Sequence, residues 1–437
     1  MYTRPLARLA FFFRGFVFLS IVACTVIVSS RAQGPATSLV VHEWGTFTSV
    51  SGHDGITLEW RPLTVESELP SFVYSVDRSS TGRQQPASPT QATPQLPPLA
   101  RQPQPTQPQP TRLPPTQRQP PRSQSSQPRE LRYPSKSATP VSVRMETPVV
   151  YFYAKEDTSV SVKVDFVGGK ITEWYPQART VRGGRIDWGT FKVVPDAYVE
   201  LANDFRENHY YPARETNSAP IQVKNGDLVE YERFLFYRGV GDFDLPLSIK
   251  LEENRVRITN EYRENICKVV LFENREGRIG YRIQDMPQTD LILDRPALDG
   301  KIESLREEIK EMLTSQGLFE KEADAMLKTW RDSWFEEGVR VFYIMPRKTT
   351  DAILPIAIDP KPSELVRVLV GRMELITPEI ERDVINQIMK LASPSKTERV
   401  AALKAINKYG RFREPILTQI RQHTSDSRVK ALIEQLL

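Results

Sequence analysis

The spacing of apolar residues divides the chain into a long β-rich region followed by a helical one. Over residues 141–295, short apolar segments recur roughly every ten residues, the interval typical of consecutive short strands. Several alternate with period two, as in SVSVKVDF and RVRITNEY, and glycine-rich turns such as VGGK and RGGR separate them. Many short strands at this spacing predict an antiparallel β-sandwich-like domain. Strand-like sequence in residues 33–80 is predicted to supply the first strands of the same domain.

After the β-rich region, the period of the apolar positions changes to that of a helix. Ile302, Leu305 and Ile309 fall on one helical face, and a second amphipathic helix is predicted over about 319–335. The segments VRVFYIMP and ELVRVLVGRMELI predict strands, with TTDAIL as a short helix between them. Residues 296–376 are therefore predicted to form an α+β subdomain.

The C-terminal residues 377–437 predict a small helical array. Four short helices with narrow apolar stripes are expected, at about 378–391, 395–408, 414–423 and 426–437. Pro378 and Pro415 fit the first turn of their helices, where the missing N–H of proline costs nothing. Paired short helices of this kind resemble the end of a HEAT-type repeat array. We expect them to dock on the preceding subdomain.

The first 32 residues have the pattern of an export signal. Arg4, Arg8 and Arg14 lead into the apolar run FVFLSIVACTVIVSS, and Ala32 ends a small-x-small cleavage site. The run has about 15 residues, fewer than the roughly 20 of a membrane-spanning helix. A cleaved signal peptide and an exported location (periplasm, cell envelope or extracellular) are predicted. The alternatives are lipidation at Cys24, or an uncleaved N-terminal segment that would be the protein's only contact with a membrane.

Cysteine usage then excludes an intramolecular disulfide in the mature chain. Cleavage after Ala32 removes Cys24 and leaves only Cys267. An oxidising compartment therefore offers this protein no internal cross-link. Cys267 lies in NICKVVLF, which predicts a buried strand and hence a packed, unreactive thiol.

Residues 81–140 predict a disordered insertion that also carries most of the positive charge. They hold 16 of the chain's 35 prolines, and the stretch RQPQPTQPQPTRLPPTQRQPPRSQSSQ within them has almost no aliphatic or aromatic side chains, so they cannot bury enough apolar surface to fold. Their net charge is +7 and that of residues 1–32 is +4. Against a net +5 for the whole chain, this leaves −6 for the remainder. A mildly acidic folded part argues against a nucleic-acid partner despite the basic pI.

A short motif occurs twice in the β-rich region. Glu43-Trp44-Gly45-Thr46-Phe47 recurs as Asp187-Trp188-Gly189-Thr190-Phe191, and acid-tryptophan pairs also occur at Trp60 and Trp174. The structural interpretation is a strand whose glycine permits a bulge, with both rings turned to the core and the acid facing out. The functional alternative makes Trp44, Trp60, Trp174 and Trp188 stacking platforms for sugar rings.

The candidate metal ligands are His42, His53, Asp54 and His209. A hairpin through SVSGHDG would bring His42 near His53, with His209 in ENHYYPAR as a third ligand. Strand parity weakens this set, because neighbours such as His42 and Glu43 point to opposite faces. Aligning the repeated motif also places Ile186 opposite His42, which favours a packed strand position for this histidine. The turn GHDG is then the better place for chemistry.

Six further segments together resemble a known family. HEWGTFTS, ETPVVYFY, ITEWYP, FLFYRGVG, TWRDSWFEEG and VGRMEL are similar to those of an uncharacterised family of exported bacterial proteins. The resemblance covers nearly the whole chain except the signal and the proline-rich insertion. It implies export and a shared architecture, but no activity and no functional residues.

The function predicted from sequence is that of a non-enzymatic envelope protein without a cofactor, binding a protein partner or a cell-envelope polysaccharide. The sequence contains no GxSxG or HExxH motif to indicate a catalytic centre. The alternative is a metal-dependent or glycan-directed hydrolase that uses His42, His53 and neighbouring carboxylates, with zinc as the cofactor.

Overall fold

Three β-sheets form the larger part of the structure, a computed structural model that describes residues 38–59, 69–76 and 142–437. The signal peptide, the proline-rich insertion and Trp60 lie outside the described residues. The strands are β1 (Val40–Gly52), β2 (Tyr74–Ser75), β3 (Val143–Tyr153), β4 (Thr158–Asp165), β5 (Gly169–Tyr175), β6 (Thr180–Arg182), β7 (Arg185–Val193), β8 (Ile221–Asn225), β9 (Leu228–Glu232), β10 (Phe234–Gly241), β11 (Leu247–Glu252), β12 (Arg255–Asn260), β13 (Lys268–Arg275), β14 (Arg278–Asp285), β15 (Asp290–Asp294), β16 (Gly338–Ile344), β17 (Ile356–Asp359) and β18 (Glu364–Ile376).

Seven α-helices follow or interrupt the last strands of the described chain. They are α1 (Ile302–Ser315), α2 (Glu320–Thr329), α3 (Arg347–Ile353), α4 (Pro378–Lys390), α5 (Lys396–Asn407), α6 (Arg413–His423) and α7 (Ser427–Leu436). The predicted order of a β-rich region followed by a helical one is confirmed. None of these helices is long and apolar enough to span a bilayer.

The largest sheet is built around β1. Its nine strands run in the order β14-β13-β16-β18-β1-β3-β10-β5-β2, and β1 pairs antiparallel with β3 and parallel with β18. β16 and β18 come from the segment predicted as a separate α+β subdomain, so the boundary expected at residue 296 does not separate two sheets. The pairing of Val40 with Glu364 spans most of the chain, and no local pattern encodes such a distant partner.

The two faces of the nine-stranded sheet bury separate cores. One face packs, through residues such as Val41 and Phe47, against two smaller sheets. These are a six-stranded sheet, in the order β17-β4-β7-β8-β9 with β6 also paired to β7, and the three-stranded sheet β11-β12-β15. The opposite face packs against α1 and α2 around Trp44. Towards the carboxyl end of β1 and β18, Val50 and Ile376 join the apolar core of helices α4–α7. This end of β1 therefore meets the C-terminal helices.

Cys267 differs from its sequence-based prediction. It is exposed and lies one residue before β13 begins, whereas the buried residues are its neighbour Ile266 and then Val269. The prediction of a packed thiol is wrong because the strand starts later than the apolar run NICKVVLF indicates.

A row of charged residues, the charged seam, crosses the helix-covered face of the sheet. It lies between the apolar core around Trp44 and the apolar core of helices α4–α7. It consists of Arg144, Glu146, Arg340, Arg372 and Glu374, all of them buried. Arg340 binds both carboxylate oxygens of Glu374, at 3.0 Å from Nε to each. Every charge in such a place must be paired, because removing an ion from water without a partner costs several kcal/mol.

Glu146 connects this seam to the C-terminal helices. Its Oε2 accepts a hydrogen bond from Thr48 Oγ1 at 3.0 Å, and its Oε1 accepts one from Arg411 Nη1 at 3.0 Å. Arg411 lies in the turn between α5 and α6 and also reaches Glu336. A buried carboxylate of the sheet therefore holds the connection between two C-terminal helices.

Replacing Glu146 with glutamine should flatten the dependence of stability on acid pH. Burial alone would raise the pKa of Glu146, but Arg411, Arg144 and Arg372 outweigh burial and lower that pKa below 4.5. A carboxyl whose pKa is lower in the folded state stabilises the protein above about pH 4.5 and loses that contribution as the pH falls through the folded-state pKa. Urea unfolding from about pH 7 to pH 3 should show a shallower decline for Glu146→Gln, with roughly 3 kcal/mol lost at neutral pH.

The control is Glu156→Gln, which changes an exposed acid in the turn after β3. Its unfolding free energy should follow the wild-type pH curve. A Glu146→Gln curve that is parallel to wild type throughout the acid range would contradict the assigned role of the carboxylate.

Candidate metal centre

His42 is a core residue of β1. It is fully buried, and its Nδ1 lies 2.8 Å from Glu322 Oε2 at the start of α2. Glu322 also accepts hydrogen bonds from the Tyr153 hydroxyl and from the backbone N–H of Phe319, each at 2.8 Å. The Phe319 ring covers the imidazole, with ring centroids 4.4 Å apart. His42 therefore joins the first strand to α2, as its alignment with the buried Ile186 indicates.

Glu43, which was expected to face out, is also fully buried on the opposite face of the sheet. Its carboxylate accepts hydrogen bonds from Arg367 on β18 and from the Tyr237 hydroxyl on β10. Burial and the Glu43 carboxylate both raise the pKa of Tyr237, so the phenol keeps its proton and donates it. Arg367 in turn binds Asp351 Oδ1 at 2.7 Å. The acid of the motif is therefore part of the scaffold.

The repeated Trp-Gly motif carries the predicted bulge in its second copy but not in its first. In the first copy the register also shifts between Trp44 and Thr46, but the extra residue lies on the partner strand β3. In the second copy the extra residue is Trp188 of the motif itself. In the second copy Gly189 has a φ of +69°, a backbone conformation that favours glycine. Trp188 and Phe191 share one core as predicted, whereas Trp44 and Phe47 lie on opposite faces of the sheet.

The described tryptophans of the binding prediction are core residues. Trp44, Trp174 and Trp188 have exposed fractions of 0%, 8% and 3%. A sugar ring stacks on an accessible aromatic face, and these faces are covered by the protein. Their burial favours the structural interpretation over the glycan platform.

The predicted cluster of His42, His53 and His209 does not form. His42 and His53 lie 11 positions apart along the extended strand β1 and its turn, roughly 35 Å at the usual rise of a strand. His209 lies instead beside Asp332, with its Nε2 3.6 Å from Asp332 Oδ2. A continuous strand, rather than a hairpin between the two histidines, is the physical reason.

His53 and Asp54 occupy a tight turn at the end of β1. The Gly52 N–H donates to Ile56 O at 2.9 Å and the Gly55 N–H to Gly52 O at 3.0 Å. The Asp54 Oδ1 accepts from the Ile56 N–H at 3.0 Å, the side-chain contact that aspartate typically supplies to a turn. The His53 carbonyl is held by the N–H of Leu251 on β11 at 2.9 Å. Both side chains are thereby presented from a fixed backbone.

Two C-terminal helices bring a carboxylate and a histidine to this turn. Glu381 lies in the first turn of α4, which Thr377 and Pro378 begin, and His423 is the last residue of α6. The possible ligand atoms of His53, Glu381 and His423 all lie within 4.8 Å of one another. His53 Nε2 is 3.6 Å from Glu381 Oε1, and His423 Nε2 is 3.6 Å from Asp54 Oδ2. We call these four residues the turn–helix cluster.

The cluster disfavours the charged form of the Glu381 carboxylate when no cation is bound. Burial raises the pKa of Glu381, and the Asp54 carboxylate raises it further, while His53 and His423 act in the opposite direction. The Glu381 Oε1 atom is buried and has no hydrogen-bond partner. Two imidazoles and a carboxylate are a donor set that binds zinc and related transition metals.

Sequence reasoning identified half of the cluster. His53 and Asp54 were among the predicted ligands, in the turn where chemistry was expected. Glu381 and His423 were missed, since they lie more than 320 positions away and show no ligand spacing. The one available signal is that His423 is among only four histidines in the chain.

Comparisons of the chain with protein-family models, with curated proteins and with solved structures each found no match.

Removing the Glu43 side chain should destabilise the protein strongly. Glu43→Ala leaves Arg367 buried beside a cavity with only Asp351 as its acidic partner, and breaking a buried ion pair from one side costs about 3–5 kcal/mol. Urea unfolding at neutral pH measures the loss. If the alanine variant does not fold, Glu43→Gln, which keeps an acceptor for Tyr237, provides the measurement.

Glu364→Ala is the matched control, because Glu364 is an exposed acid on the neighbouring strand β18. It should change the free energy of unfolding by less than about 0.5 kcal/mol. Equal losses in the Glu43 and Glu364 variants would show that the buried pair does not stabilise the fold.

Proposed function

We propose that this protein is an exported cell-envelope binding protein that holds one transition-metal ion of the zinc class in the turn–helix cluster. The observation that carries the proposal is the convergence of His53, Glu381 and His423, whose ligand atoms lie within 4.8 Å of one another. They come from three separate chain segments, so their proximity does not follow from adjacency in the sequence.

The donor set supports the choice of ion. Imidazole nitrogen with carboxylate oxygen suits zinc, cobalt and nickel, whereas calcium and magnesium prefer ligand sets composed only of oxygen. The side chains of His53 and His423 are 34% and 42% exposed, so an ion can enter from solvent.

The wider role follows the sequence-based prediction. The family resemblance and the N-terminal pattern support export, and the C-terminal helices α4–α7 are proposed to act as a small HEAT-like array. The partner is proposed to be a protein or a cell-envelope polysaccharide, and no nucleic acid. A second candidate, a metal-dependent hydrolase, is favoured by one observation: the exposure of His53 and His423 would let water reach the ion.

Purified wild-type protein should contain one equivalent of zinc after incubation with the ion and removal of excess. His53→Ala and His423→Ala should each weaken zinc binding by more than about a hundredfold, since even residues that only support metal ligands contribute 10–100-fold to affinity. Metal content is measured by elemental mass spectrometry, and affinity by competition with a chromogenic chelator.

His209→Ala is the control, because His209 is a partly exposed histidine outside the cluster. It should retain the wild-type equivalent of zinc. Wild-type protein that takes up no zinc, or a His53 and His423 double variant that keeps it, would overturn the proposed function.

Export predicts a specific N-terminus. When the full chain is expressed in a bacterium, the protein recovered from the periplasmic fraction should begin at Gln33, because cleavage is expected after Ala32. Intact-mass spectrometry distinguishes this product from the full-length chain. Recovery of chains that still begin at Met1 from the membrane fraction would instead support the retained anchor.

A further inference from the structure

Asp54 is held with one carboxylate oxygen turned toward the turn–helix cluster. Its Oδ1 is engaged by the Ile56 N–H at 3.0 Å, which fixes the carboxylate within the turn. Its Oδ2 lies 3.6 Å from His423 Nε2. The backbone contact thus leaves a single oxygen of Asp54 for a fourth partner.

The distances within the cluster approach those of a four-coordinate site. With metal–ligand distances of about 2.0–2.1 Å, tetrahedral ligand atoms lie roughly 3.3–3.4 Å from one another. Two edges of the cluster, His53 Nε2 to Glu381 Oε1 and His423 Nε2 to Asp54 Oδ2, already measure 3.6 Å. The separations among the three residues first named reach up to 4.8 Å and must shorten when an ion is bound.

The charge of the cluster and its unsatisfied polar groups both indicate a divalent cation as the occupant. Two neutral imidazoles and two carboxylates carry a charge of −2, which one divalent cation neutralises. The Glu381 Oε1 atom is buried and without a hydrogen-bond partner. Buried polar atoms are almost always paired in a native protein, so this oxygen indicates a missing partner.

A buried amide beside Asp54 is a second unsatisfied group. Gln419 lies one helical turn before His423, is fully buried, and has no partner for its oxygen or its nitrogen. A Cβ on Gly52 would lie 2.5 Å from Gln419 Nε2 and 2.6 Å from Asp54 Oδ1, so both side chains border the space that glycine leaves open. A second buried polar group next to the cluster thus lacks a partner.

The geometry points to Asp54 as the fourth ligand of a closed, structural metal site that fastens helices α4 and α6 to the turn after β1. This inference rests on the proposed function and deepens it. Structural zinc sites are closed by four protein ligands, whereas catalytic sites keep one position for water. A fourth protein ligand therefore assigns the ion to holding the fold together, and the hydrolase candidate loses its reactive position.

The first test replaces Asp54 with asparagine, whose side-chain oxygen still accepts from the Ile56 N–H while its amide faces His423. The probe is cobalt(II), which gives intense visible absorption in tetrahedral sites and weak absorption at higher coordination. Wild-type protein loaded with cobalt should show the intense bands. In Asp54→Asn, where water takes the fourth position, the bands should shift and weaken. Zinc affinity of the variant should fall about 10–100-fold or more.

The control is Asp157→Asn, at an exposed turn between β3 and β4. It should keep the cobalt spectrum and the zinc affinity of wild type. If wild type binds zinc and Asp54→Asn leaves both spectrum and affinity unchanged, the three-residue site remains and the fourth ligand is refuted. If wild type binds no metal, the proposed function fails, and this inference fails with it.

The second test measures the fastening itself. Hydrogen–deuterium exchange is recorded for the full chain with and without zinc. Because an ion bound only in the docked state stabilises that state, zinc should slow exchange in α4 and α6 of wild type. Helix α1 is the internal reference and should not change. Equal exchange in α4 and α6 with and without bound zinc would overturn the structural role.

Discussion

The structure depends on one demanding constraint, the burial of β1 on both of its faces. The strand lies inside the nine-stranded sheet, with α2 and the C-terminal helices on one face and two further sheets on the other. It nevertheless carries His42, Glu43, Thr46 and Thr48 into that interior. Buried charges are tolerated only with partners, so later parts of the chain must supply them. Glu322, Arg367 and Glu146 do so for three of the four.

The two histidine–acid pairs near the start of the chain have different roles because one lies in a buried strand and the other in a turn. His42-Glu43 lies within the sheet, where parity sends the histidine toward α2 and the acid toward β18 and β10. His53-Asp54 is the same kind of dipeptide, but it lies in a turn, where neighbouring side chains need not point in opposite directions. Both side chains can therefore approach one point. The same local sequence thus builds scaffold in one place and a candidate site in the other.

Local pattern predicted a large share of the elements. The apolar period located α4–α7 within about two residues, the accuracy with which helix ends can be defined at all. It also predicted most strands and the bulge in the second copy of the Trp-Gly motif. It could not predict the parallel pairing of β1 with β18, since pairing between distant strands depends on the whole sheet. Cys267 shows the same limit at small scale, because an apolar run does not fix where hydrogen bonding begins.

The candidate site was half predictable for the same reason. A turn can be read from Gly52, Asp54 and Gly55, because its residues are adjacent and their conformational preferences are local. Glu381 and His423 are ordinary residues of amphipathic helices until those helices dock. What brings them together is the apolar contact of Val50 and Ile376 with the core of α4–α7. The site is therefore a consequence of tertiary packing.

The C-terminal helices contact the rest of the protein through both apolar and charged side chains. Their apolar core reaches the sheet chiefly through Val50, Leu58 and Ile376. Around that small contact lie the pairing of Arg411 with Glu146 and the turn–helix cluster. Ion pairs and metal ligands respond to pH and metal supply, whereas apolar burial does not. The junction between β1 and α4–α7 therefore combines a small apolar contact with charged side chains, one of which, Glu146, has a pKa lowered by Arg411.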